Sequence, residues 1–336
     1  MRRTAIALVT LLVAGAAIVA GAAARPDRAE DTTLSLVAYS TPRQAYSKLI
    51  PAFQKTAAGQ GVNFTQSYGA SGDQARAVAA GLKADIVELS LAPDVDTPVK
   101  ACLVDANWKQ KAYHGMVTDS VVVFVLRDGN PKHIRTWDDL TKKGVSVITP
   151  NPFTSGGARW NVMAAYGAWL KQGKTPKQAK AKLLALFKNV SVQDSSARNA
   201  LNTFLAGKGD VLLTYENEAI AAQQAGQKVQ YVIPKQTILI ENPIAVIKTS
   251  SNAAKAQQFV NYLKSPAAQQ IWADNGYRPV NKTVLEANRK EFPKRPDIFT
   301  ISNLGLGGWD KVQKSFFDPS TGVMASIERA VGGVTG

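Results

Sequence analysis

The sequence predicts an α/β protein made of two doubly wound α/β lobes joined by strand crossings, with a cleft between them. Three observations carry this. The apolar period switches repeatedly between 2 and 3.6 along the chain. Several strands run into Ser/Thr/Gly turns that open helices. A length of 336 residues with 45% hydrophobic content asks for about two domains with sizeable cores.

The elements follow in order. Residues 34–39 read as a strand, and 42–57 as a helix with apolar Ala45, Leu49, Ile50 and Phe53. A strand at 62–67, a helix at 71–82, a buried strand at 84–89 and a helix at 93–101 come next. Residues 117–126 form a long apolar strand, 137–141 a short helix, 145–149 a strand and 159–170 an amphipathic helix. Helices at 176–187 and 197–206 precede a strand at 210–214. Strands at 228–233 and 237–248 lead to helices at 253–264 and 266–275. No Pro/Gly/Ser-rich linker separates two halves, so the chain is expected to cross between lobes through its long strands. That places one lobe at residues 33–117 plus 245–336 and the other at 118–244, about a hinge.

Met1-Arg2-Arg3, an apolar run at 6–20 and Ala22-Ala23-Ala24 read as a signal peptide, residues 1–24, cut after Ala24. Residues 25–32 are polar and expected to be disordered. The single cysteine, Cys102, allows no intramolecular disulfide. No cysteine follows the signal, so a free periplasmic protein without a lipid anchor is expected. The net charge of +15 becomes +13 once Arg2 and Arg3 leave, a field that draws in small anions. Export and the lack of any nucleic-acid motif argue against a nucleic-acid partner.

Signals for catalysis are poor. Only two histidines occur, His114 and His133, and no HExxH, CxxC or GxSxG motif is present. Asp94, Asp96 and Asp105 read as helix-end caps rather than a metal site, and Glu218 is expected to be exposed. No cofactor, metal or enzymatic activity is expected.

The turns are more informative. Thr154-Ser155-Gly156-Gly157 joins a strand to a helix, where free N–H groups carry partial positive charge and glycine lets a ligand approach. No Gly-Lys-Ser/Thr follows, so an anion here would be gripped by neutral dipoles. Turns of similar chemistry recur at Ser40-Thr41-Pro42-Arg43, at Gly69-Ala70-Ser71-Gly72-Asp73 and at Asp194-Ser195-Ser196-Ala197-Arg198. Any one of them is explained as a helix cap, but four are harder to dismiss.

These turns, with GVSVITPNPFTSGGARW at 144–160, Gly129-Asn130-Pro131-Lys132, Glu216-Asn217-Glu218-Ala219 and Tyr277-Arg278-Pro279, resemble the periplasmic sulfate-binding proteins of ABC importers. These belong to the type II periplasmic binding proteins, and the likeness covers nearly the whole mature chain. It implies a receptor that holds sulfate without water or a paired cation. The donors implied are the N–H of Ser40, where the family has mostly Asp, then Ser71, the Ser155 hydroxyl, the N–H groups of Gly156, Gly157 and Ala197, and Tyr215, where the family has mostly Trp. Arg159 and Arg198 are expected to brace the loops from behind, and Asp73 and Asp194 to act as caps or as partners of Arg43 and Arg198. Thiosulfate, or another tetrahedral oxyanion such as molybdate, is the alternative ligand, and a secreted hydrolase of sulfate or phosphate esters the alternative class. The resemblance also implies membrane permease subunits as partners and a monomeric receptor.

Overall fold

The computed structural model describes residues 32–335, so the expected signal peptide lies outside the described residues. The first part of the chain gives β1 (Thr32–Tyr39), α1 (Arg43–Gln54), β2 (Val62–Gly69), α2 (Ser71–Ala79), β3 (Ile86–Glu88) and α3 (Ala92–Lys100). The middle gives β4 (Met116–Arg127), β5 (Val147–Pro150), α4 (Gly156–Lys171), α5 (Pro176–Phe187), β6 (Val190–Asp194), α6 (Ala197–Leu205), β7 (Val211–Tyr215) and α7 (Glu216–Gln224). Then come β8 (Val229–Val232), β9 (Thr237–Val246), α8 (Ala253–Leu263), α9 (Pro266–Asp274) and β10 (Arg278–Pro279). The chain closes with α10 (Lys282–Ala287), β11 (Ile298–Phe299), α11 (Gly308–Phe316) and α12 (Val323–Val331).

The strands run in the order β2-β1-β3-β9-β4-β7-β5-β6, with β8, β10 and β11 attached along β4 and β9. Two parallel trios, β2-β1-β3 and β7-β5-β6, flank an antiparallel pair. That pair is formed by the two long strands. The first half of β4 pairs with β9, and its second half pairs with β7. The second half of β9 pairs with β3. Each long strand therefore passes from one parallel trio to the other. A parallel trio needs helices on its faces, which explains the near-continuous burial of β1, β3, β5 and β7, while the outer strands β2 and β6 are more polar and only partly buried.

The hydrophobic core divides accordingly. Leu34, Leu36, Tyr46, Phe53, Phe259 and Trp272 cluster on one face of the first trio, and Val37, Val87, Leu89 and Trp108 on the other. Phe124, Trp137, Trp160, Trp169 and Phe316 form the largest cluster, beside the second trio.

Three expectations change. The helix expected at 159–170 begins at Gly156, so both glycines lie in its first turn under the Ser155 N-cap. It is also not amphipathic: 14 of its 16 residues are buried. Strand β9 and helix α5 contact it, and the C-terminal aromatic residues share its core, so no face is left for water. The expected short helix at 137–141 shrinks to a 3-10 turn, Asp139–Thr141.

The C-terminal segment acts as a strap. Phe299 lies where a Cβ on Gly167 would stand, 2.5 Å away, so α4 needs glycine there. Trp309 meets Trp160 edge-on at 4.8 Å and touches the cores of both trios.

Arg278 on β10 binds Glu216 at the start of α7 through two bonds of 2.6 and 3.0 Å, with both residues buried. Removing one partner of such a pair strands a buried charge. The Arg278→Met variant is expected to lose about 3–5 kcal/mol in urea unfolding at neutral pH. A second change, Glu216→Gln, is expected to recover much of that loss. Unfolding curves that match the wild type would refute the structural role of the pair.

Candidate functional site

Each parallel strand ends where a helix begins, and these ends meet. After β1, Ser40 and the buried Thr41 lead into α1. After β2, the extended Ala70 caps α2, so Ser71 is its first residue. After β5, Ser155 caps α4, its Oγ accepting the Ala158 N–H at 3.4 Å. After β6, Ser196 caps α6 by accepting the Asn199 N–H at 3.3 Å, so Ala197 is the first residue of that helix. After β7, the extended Tyr215 stands at the start of α7. At every one of these starts the first backbone N–H groups have no partner within the helix.

Direct contacts tie the turns together. The Gly72 N–H of α2 donates to the Thr154 carbonyl ahead of α4 at 3.1 Å. The Arg198 N–H of α6 donates to Ser40 Oγ at 3.4 Å. Thr154 Oγ1 donates to the Ser195 carbonyl at 2.9 Å. A Cβ on Gly157 would stand 2.8 Å from the Tyr215 ring and 3.4 Å from the Ala197 Cβ. A Cβ on Gly156 would stand 2.1 Å from Leu91 Cδ2. Both positions therefore need glycine for space, independent of any ligand. The structure thus brings Ser40, Ser71, Ser155, Gly156, Gly157, Ala197 and Tyr215 into one cluster. A cavity of about 430 Å³ opens beside it, bordered by Ser40, Arg43, Tyr68 and Ser196. A second cavity of about 450 Å³, between α8, Trp108 and the end of β9, holds none of these residues.

The supporting groups differ in part from the expectations. Arg159 is buried: Nε donates to the Pro152 carbonyl at 2.8 Å and Nη1 to Asp94 Oδ1 at 3.3 Å, with Phe317 5.5 Å from its guanidinium. Asp94 also accepts the Ser71 hydroxyl at 2.5 Å, and burial pushes its carboxyl pKa up while Arg159 and Ser71 oppose the rise. Ser71 Oγ in turn accepts the Ser90 N–H at 2.9 Å, so its proton and one of its lone pairs are engaged. Arg198 binds Glu218 at 2.6 and 2.8 Å and reaches the Thr41 carbonyl at 3.3 Å. Glu218, expected to be exposed, is fully buried, because this arginine pairs it. Arg43 lies over the Tyr68 ring, 4.9 Å from its centre. Asp73 pairs with Arg76 on the surface, and Asp194 Oδ1 accepts from Thr203 Oγ1 at 3.0 Å.

Two groups escaped the sequence reading. Ser90 follows β3, and its Oγ lies 2.6 Å from the Tyr215 hydroxyl. Glu88 is fully buried and accepts the Tyr46 hydroxyl. Neither sits in a recognisable turn motif, so only their place at the end of a buried strand marks them. Among the described residues, no three His, Cys, Asp or Glu side chains come together as a metal site.

Burial pushes the Glu88 carboxyl up to about 8, against the opposing hydrogen bond from Tyr46. Its unfolded value is about 4.3. Between these values the folded state holds a proton that the unfolded state releases, so stability falls as pH rises through that window. The Glu88→Gln variant keeps an acceptor for Tyr46 and has nothing to ionise. Stability measured from pH 5 to 8 is expected to fall less steeply in this variant than in the wild type. Equal slopes would place the Glu88 pKa elsewhere.

Residues 34–278 match the family model described as bacterial extracellular solute-binding protein. The chain is 42% identical over 309 residues to the sulfate-binding protein of Synechococcus elongatus, covering 89% of this chain and 87% of that one. It is 36% identical over 321 residues to the thiosulfate-binding protein of Pseudomonas aeruginosa, covering 92% and 94%. The solved structure of the sulfate-binding protein SubI from Mycobacterium tuberculosis matches with a TM-score of 0.82 at 44% identity, covering 85% of this chain and 100% of that one.

Proposed function

The chain belongs to the bacterial extracellular solute-binding proteins, and we propose that it is a periplasmic receptor that captures sulfate and delivers it to an ABC importer. The observation that supports this most is the meeting of helix starts from both parallel trios at Ser40, Ser71, Gly156, Ala197 and Tyr215. Such a cluster of backbone donors suits a small anion. Two carboxylates that brace these turns are engaged elsewhere: Asp94 by Arg159 and Ser71, Glu218 by Arg198. The likeness to sulfate-binding proteins supports the choice of anion.

Sulfate is a dianion with no proton at neutral pH. A site of donors satisfies it, whereas hydrogen phosphate would turn its O–H toward another donor. An unpaired polar contact of that kind in a dry cleft costs roughly 1–3 kcal/mol. Ser155 Oγ accepts the Ala158 N–H and keeps its own proton to donate. In this reading Ser71 contributes its N–H, since its hydroxyl serves Asp94.

We further propose a lobe at residues 33–117 plus 245–336 and a lobe at 118–244, closing about β4 and β9. The passage of both strands from one trio to the other supports this. The receptor would act as an exported, monomeric protein without catalytic activity, docking on permease subunits once closed.

Titration calorimetry with sulfate, thiosulfate, phosphate and molybdate tests the reading. Sulfate is expected to bind most tightly, and phosphate at least about tenfold more weakly. Phosphate binding as tight as sulfate would defeat the all-donor argument. A finer probe is Ala197→Pro. Ala197 opens α6 and Ser196 before it is extended, so proline fits the backbone and removes one N–H. That variant is expected to melt close to the wild type and to lose about tenfold or more in sulfate affinity. Unchanged affinity would remove Ala197 from the donor set.

A further inference from the structure

Ser90 is 1% exposed and held on three sides through its backbone. Its N–H donates to Ser71 Oγ at 2.9 Å. Its carbonyl accepts from Trp160 Nε1 at 2.9 Å and from Asn242 Nδ2 at 3.0 Å. These bonds fix the backbone and aim the side chain, whose hydroxyl stands 2.6 Å from the Tyr215 hydroxyl. Both hydroxyls border the start of α4. A Cβ on Gly156 would lie 2.6 Å from Ser90 Oγ, and one on Gly157 would lie 3.2 Å from the Tyr215 hydroxyl.

Counting protons shows what this pair offers. Two hydroxyls carry two protons, and their mutual hydrogen bond uses one. The other is free for a third partner. A phenol is a stronger acid than an aliphatic alcohol, so Tyr215 is the better donor of the two and Ser90 the better acceptor. The free proton then sits on Ser90, beside Gly156 at the start of α4. A donor that is itself receiving a hydrogen bond is polarised and strengthened.

We propose that Ser90 is a specificity-determining residue of the oxyanion site: Tyr215 donates to Ser90, and Ser90 donates to the anion, so the two hydroxyls act as one donor. This rests on the sulfate reading above. The pair differs from a fixed N–H because it keeps lone pairs. By reversing, it accepts from a protonated tetrahedral oxyanion, but only by giving up its own donation, so hydrogen phosphate is still held with one donor fewer than sulfate.

The test is a double-mutant cycle on the full mature chain, using Ser90→Ala, Tyr215→Phe and both together. Sulfate and phosphate affinities are measured by calorimetry or competition, with thermal melting as a folding control. Ser90→Ala is expected to weaken sulfate about tenfold. The double variant is expected to be no weaker than Ser90→Ala, because in this proposal Tyr215 acts on the anion only through Ser90. Phosphate is expected to lose more than sulfate in Ser90→Ala, widening the gap between the two anions. Wild-type sulfate affinity in Ser90→Ala, losses that add in the double variant, or an unchanged phosphate-to-sulfate ratio would each overturn the proposal. If the serine variant does not fold, sulfate affinity in Tyr215→Phe decides: it is expected to fall because Ser90 loses the hydrogen bond that polarises it, and an unchanged affinity would overturn the proposal. A wild-type chain that binds no sulfate would instead overturn the receptor reading itself.

Discussion

Several helix starts aimed at one place are the constraint on which the rest depends. Each start carries unmet N–H groups and roughly half a positive charge, so bringing them together is unfavourable without a counter-charge. The fold must hold them in position regardless. The buried frame behind the turns does this: Asp94 joins Ser71 of α2 to Arg159 of α4, and Glu218 of α7 holds Arg198 of α6. These ion pairs act as struts between helices. Their carboxylates balance the arginines and leave the turns themselves neutral.

The frame works because the chain changes sides through strands rather than loops. β4 and β9 pair along part of their lengths and diverge into separate trios. A hydrogen-bonded ribbon bends without losing its register, whereas a loose linker would let the two sets of turns drift. The C-terminal strap adds a second tie, since Trp309 rests against Trp160 and touches the cores of both trios.

Much of this was legible in the sequence. The strand-turn-helix units carried their own punctuation, and the turns at Ser40, Ser71, Ser155 and Ala197 stood out as repeated chemistry before any geometry joined them. What escaped is non-local. Arg43 has Tyr68 as its ring partner because β2 runs beside α1, whereas Asp73 finds Arg76 one helical turn away. Glu218 is buried because a residue 20 positions earlier reaches it. Ser90 lies at the end of a short strand, and its role depends on a tyrosine 125 positions away. Helix α4 reads as amphipathic until the C-terminal segment, which the sequence reading left without elements, covers its outer face.

If recognition is carried by backbone N–H groups, as proposed, there is a consequence for how such a protein can vary. A main-chain donor survives nearly any substitution of its own side chain, with proline the exception. In the proposed reading the N–H at Ser40 and Ala197 would outlast a change of side chain, within the limits set by the Arg198 bond to Ser40 Oγ and by the burial of Ala197. Variation is filtered through the fold instead of through contact residues. The Ser90–Tyr215 pair is the counterpart, because its hydrogen bond is made by side chains alone. On the proposal above, a single-base change there would alter ligand preference without disturbing the frame, and drift in selectivity would register first at those two positions.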